Sequence, residues 1–169
     1  VYALARTARD AEALTQLAMQ LAEAERPIIL QGGLSTLPDL LATADGPRHF
    51  DAVVGHNVLV DVADKGAAVT LIAQLLAPNG TISLAERVPR HTQRLYRLLE
   101  QSGAEIPKAL ASRLAAAEEA IYARDDDPLV NWDSDDLAAL WEGTGLRVEL
   151  NSETEITEVR VSAGLLERW

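Results

Sequence analysis

A mostly parallel β-sheet, covered by helices on both faces and closed by an antiparallel hairpin, is the fold this 169-residue sequence predicts. Three observations predict it. Short apolar runs alternate with helical patterns in the order β-α-β-α-β-α-β, the arrangement of parallel α/β sheets. The strand runs are too apolar to have one wet face, as expected of strands covered on both sides. Finally, the run from Phe50 to Leu59, a helix, and the Pro78-Asn79-Gly80 turn into another apolar run form one βαβ unit,.

Each element has its own signal. Residues 1–5 are apolar, with β-forming Val1 and Tyr2 at the start. Asp10 opens a helix whose apolar positions Ala11, Leu14, Leu17, Ala18, Leu21 and Ala22 recur at helical spacing,. Pro27 ends the approach to a second strand, 28–31, and Gly32-Gly33 breaks it,. One short helix follows Pro38 within 34–44, and Asp45-Gly46-Pro47 turns the chain into strand 50–58. The next helix runs from Asp64 to Leu76 with Ala68, Val69, Ile72, Ala73 and Leu76 facing inward. Asn79-Gly80 then leads into strand 81–86. Residues 88–133 form a helical insert: a helix over 92–101, a break at Ser102-Gly103 and Pro107, and an Ala- and Glu-rich helix over 108–123. Pro128 ends that segment, because proline disfavours helical geometry in the residue before it. A further helix begins after Trp132, with Asp135 and Asp136 in its first turn, where the helix dipole favours anions. The chain ends in a predicted hairpin, 146–150 and 156–161, turning at Asn151-Ser152.

The length suits one domain, 1–169, which at this size buries roughly 70% of its unfolded surface. The chain does not begin with Met and opens mid-strand, so a fragment of a longer protein is expected. A net charge of −11 disfavours nucleic-acid binding by this segment, since phosphate backbones are held by Lys and Arg. The exception is a candidate patch of Arg87, Arg90, Arg94 and Arg97, whose simpler reading is a solvated helix edge. With no cysteine, neither a disulfide framework nor a thiolate zinc site can form. No apolar run approaches the ~18 residues of a membrane span, and a cytoplasmic location is the default. His49 and His91 lack partners at ligand spacing, and the acids 125–127 lack the glycine-centred loop of a calcium site, so no metal is expected.

Ligands of parallel sheets bind beyond the carboxyl ends of the strands. His56 and Asn57 stand there at the end of the third strand, and Glu86 at the end of the fourth. His56 is a candidate general base near neutral pH, or a histidine bonded to a neighbouring loop. Glu86 would orient a substrate amine, or pair with Arg87 or Arg90.

The Phe50-Asp51 strand, its crossover helix and the Pro78-Asn79-Gly80 turn resemble the fourth and fifth strands of class I S-adenosylmethionine-dependent methyltransferases. The resemblance covers most of the chain, with 1–5 and 28–31 standing as that family's second and third strands. Nothing is left for its first strand, the one bearing the glycine-rich cofactor loop; an alternative alignment makes 1–5 that strand. The family's ribose-binding acid is replaced by Ala5 or Arg6. The resemblance implies S-adenosylmethionine as cofactor, with Gln31, Gly33, Gly55 and Asn57 lining its site, and His56 and Glu86 in the reacting crevice. An active enzyme with its glycine loop upstream and a non-catalytic interaction module both fit. Residues Ala117 to Tyr122 and Asp126 to Trp132 also resemble the C-terminal extension of RarA-type AAA+ ATPases, which implies an upstream domain as partner. No phosphate loop for ATP is present,.

Overall fold

The computed structural model describes residues 1–103, 105–124 and 126–154. It is a mixed α/β structure with two small parallel sheets. Strand β1 (Tyr2–Ala5) pairs in parallel with β2 (Ile28–Gln31), and β3 (Phe50–His56) pairs in parallel with β4 (Leu76–Ala85). The single continuous sheet expected from sequence is therefore split: β1 and β3 share no ladder. Their like ends nonetheless meet. The rings of Tyr2 and Phe50 pack edge to face at 5.9 Å, and Arg6 reaches Asp61, just beyond β3, at 2.7 Å.

Helix α1 (Ala8–Ala18) crosses from β1 to β2. Its N-cap is Thr7, whose hydroxyl accepts from the Asp10 amide, so the helix starts before Asp10 and ends short of Leu21. Its predicted apolar stripe is fully buried only at Ala18 and half-buried at Ala11 and Leu14, while Leu17, Met19 and Leu21 are exposed. Helix α2 (Leu37–Thr43) begins at Leu37, with Pro38 in its first turn, where the missing N–H is no loss. Helix α3 (Lys65–Gln74) is capped by Asp64, which accepts from the Ala67 amide.

Strand β3 stops two residues early because Asn57 takes a left-handed backbone, φ 51°. Strand β4 starts five residues early. Phe50 pairs with Leu76 and Ala52 with Thr81, so Asp51 opposes residues 77–80 and the Asn79-Gly80 turn is absorbed as a bulge inside the strand. Asn79 takes φ 64° there.

In the insert, α4 (Leu95–Ser102) ends at Gly103, φ 70°, the left-handed stop that glycine permits. Helix α5 (Lys108–Tyr122) packs on it, and α6 (Ser134–Glu142) packs on α3. An Asp133–Asp136 capping box starts α6,. Residues 146–150, the expected first hairpin arm, are not a strand. Leu146 and Val148 lie against the helical core, and the segment joins no ladder among the described residues. The second arm, 156–161, lies outside the described residues.

Two clusters hold the structure. Leu59, Ala68, Val69, Ile72 and Trp141 join α3, α6 and the loop after β3. Leu30, Leu41 and Leu75, with Tyr2 and Phe50 at their margin, bridge the two sheets. No helix among the described residues is long and apolar enough to cross a membrane.

Candidate functional site at the strand ends

Because β3 and β4 run in parallel, their carboxyl ends deliver His56, Asn57 and Glu86 to one rim. Glu86 does not pair with Arg87 or Arg90. Its Oε1 accepts from the Val58 amide at 2.8 Å and its Oε2 from the Leu59 amide at 3.2 Å. Both carboxylate oxygens thus hold the loop between β3 and α3. Burial pushes the Glu86 carboxyl above its usual range, against the two backbone donors and nearby His56 and Lys65,.

Asn57 is engaged in the same way. Its Oδ1 accepts from the Arg87 amide at 2.9 Å, and its own amide donates to the Ala85 carbonyl at 2.8 Å. His56 is exposed, touched by the Asn57 side-chain amide at 3.5 Å, a distance at the outer limit of hydrogen bonding. Gly55 lies beneath this turn. A Cβ there would stand 2.8 Å from Leu84 Cδ2 and closer still to Val58, so any larger residue forces these side chains to shift. Gln31 ends β2, on the other sheet, and Gly33 follows it. Gln31 is exposed, and the Gly33 carbonyl accepts from the Thr36 amide and hydroxyl.

Lys65 is the residue that the sequence reading passed over. It is buried, its Nζ donates to the carbonyls of Val62 (2.8 Å) and Pro128 (2.6 Å), and it sits 4.9 Å over the Trp132 ring. Burial lowers its pKa, opposed by Glu86 and Asp127. The signal was present: a cation in the first turn of a helix opposes the dipole and needs acceptors elsewhere. Trp132 is itself buried, its indole N–H donating to the Leu129 carbonyl at 3.1 Å, so it covers Lys65.

The arginines of the insert form no common patch. Arg90 binds Asp133, Asp136 and Asn131. Arg94 is buried, stacked 3.6 Å over Tyr122, with its other nitrogens donating to the carbonyls of Thr92 and Arg90. Glu118 repeats the device of Glu86, its two oxygens accepting from the amides of Leu95 and Tyr96. A depression of about 490 Å³ lies at the opposite rim among Pro38, Leu41, Asp45, Pro47, Arg48 and Leu75, away from His56.

No protein-family model, curated protein or solved structure matches this chain.

Proposed function

We propose that the chain is a divergent methyltransferase-like module that serves interaction or regulation rather than catalysis, as the C-terminal part of a larger cytoplasmic protein such as a RarA-type ATPase. The engagement of Glu86 carries this reading. The carboxylate expected to orient a substrate has both oxygens committed to the Val58 and Leu59 amides, and freeing it would leave two backbone donors unmet. At the end of β1, Arg6 faces Asp61 where a ribose-binding acid would stand. Exposed Leu17, Met19 and Leu21 on and after α1 offer apolar surface to a partner.

Calorimetric titration with S-adenosylmethionine tests the reading: the folded chain is expected to give no binding heat, and a saturable one-to-one isotherm would overturn it. The second reading is an active S-adenosylmethionine-dependent methyltransferase whose glycine loop lies upstream. The exposed His56 at the rim, on a strand that pairs only with β4 among the described residues, favours it; His56, Asn57 and Glu86 would then line the crevice, with Gln31, Gly33 and Gly55 near the cofactor.

A further inference from the structure

The depression between α2 and the approach to β3 combines apolar walls with two opposite charges. Its volume, about 490 Å³, falls in the range of small-molecule sites, roughly 300–1,000 Å³. Buried Leu41 of α2 and buried Leu75, the residue that closes α3, contribute apolar surface. Pro38 and Pro47 add rigid walls, because the proline ring fixes its own backbone. Both leucines belong to the cluster that bridges the two sheets, so the shape of the depression is set by the core beneath it.

The turn that carries the charges is held in place. The amides of Ala44, Asp45 and Gly46 donate to the carbonyls of Leu40, Ala42 and Leu41 at 3.1, 3.3 and 2.7 Å. A Cβ on Gly46 would stand 3.0 Å from the Leu41 carbonyl oxygen and 3.3 Å from the Tyr2 ring, so the turn lies directly on α2. Asp45 and Arg48 line the same depression from this turn. Among the described residues neither side chain has a hydrogen bond or an ion pair, with the other or with any neighbour. A fixed backbone thus presents one unmatched anion and one unmatched cation beside apolar walls.

Charge complementarity selects the occupant. A phosphate or simple carboxylate would suit Arg48 but meet the like charge of Asp45, and an apolar amine would suit Asp45 but leave Arg48 unmatched. A zwitterion with an apolar body answers both charges and covers the leucines. We propose that the depression binds a free apolar α-amino acid, its carboxylate on Arg48, its ammonium on Asp45 and its side chain over Leu41 and Leu75. The site lies at the opposite rim from His56 and Glu86, so it does not rest on the function proposed above and stands or falls separately from the cofactor titration.

Three probes test it: L-leucine, isocaproate, which is leucine without its ammonium, and isopentylamine, which is leucine without its carboxylate. Each is titrated into the isotope-labelled chain and followed by amide chemical shifts. Leucine is expected to shift the amides of Asp45, Gly46, Arg48 and Leu75 along one saturable curve. It should bind about fivefold or more tighter than either truncated probe, the upper worth of an ion pair that stays partly wet. Asp45→Gly removes the carboxylate and keeps the turn, since glycine freely adopts the φ of 49° found there,; in this variant leucine and isocaproate are expected to bind alike. Arg48→Gln should in the same way erase the difference between leucine and isopentylamine. No saturable shift at millimolar leucine, shifts centred away from this turn, or equal binding of the three probes to wild type would overturn the proposal.

Discussion

Replacing Glu86 by Ala removes the acceptors of the Val58 and Leu59 amides, and Leu59 is completely buried in the core. Each unmet donor costs about 1–3 kcal/mol. Losing the burial penalty of the carboxylate offsets part of this, and water screens a half-exposed group, so the net loss is about 2–4 kcal/mol. For a chain of this size that lowers the melting temperature by roughly 4–16 °C. Urea unfolding followed by tryptophan fluorescence reports it, because Trp132 and Trp141 are both buried. Glu86→Gln supplies one carbonyl acceptor and is expected to fall between wild type and Ala. The folded pKa of Glu86 is raised, so the folded state binds the proton more tightly than the unfolded. Its contribution is therefore greatest below the unfolded glutamate value and declines as pH rises through the folded one. The stability of wild type relative to Glu86→Gln should accordingly fall as pH rises from the ordinary glutamate range. An Ala variant as stable as wild type, with unchanged amide exchange at 58 and 59, would refute the clamp.

Lys65→Met leaves the Val62 and Pro128 carbonyls without their donor and should cost about 2–4 kcal/mol. Since the folded pKa of Lys65 is depressed, wild-type stability should gain on the variant as pH climbs toward the ordinary lysine value; parallel pH profiles would contradict the burial account. Asp133→Ala removes the cap of α6 at about 0.5–2 kcal/mol. The Asp136 amide, with Arg90 and the Asp135 amide, holds the Asp133 pKa down against its partial burial, so that contribution is present at neutral pH and lost on acidification through the folded value. A variant with wild-type urea midpoint at pH 7 would be inconsistent with it. Gly55→Ala drives a methyl into Leu84 and Val58 and should lower stability by about 1–3 kcal/mol, measured as the urea midpoint; a neutral effect would mean that the turn after β3 yields.

Elements bounded by strong punctuation were legible. Strand β2 sits between Pro27 and Gly32, α5 follows Pro107, and α4 ends at Gly103, each set by backbone sterics that a single residue imposes. The start of β4 was not legible. Leu76 follows Ile72 at helical spacing and reads as the last turn of α3, whereas pairing with Phe50 makes it strand, a tertiary choice. The register break around Asp51 is equally invisible, because nothing local demands it. At the rim, sequence placed His56, Asn57 and Glu86 together through strand direction alone. It could not reveal that Glu86 folds back on amides 27 and 28 residues earlier, nor that Lys65 lies inward, since lysine is ordinarily solvated. The arm at 146–150 carries the apolar alternation of a strand but joins no ladder among the described residues.

The pairing of β1 with β2 and of β3 with β4 has a kinetic consequence. Each pair is joined by a single intervening stretch of chain, so each closes a modest loop and neither waits for the other. During synthesis the first pair can assemble while the second is still inside the ribosome, since chains fold from the N-terminal side as they emerge. Tyr2, Phe50 and the Leu30–Leu41–Leu75 cluster then join the two pairs.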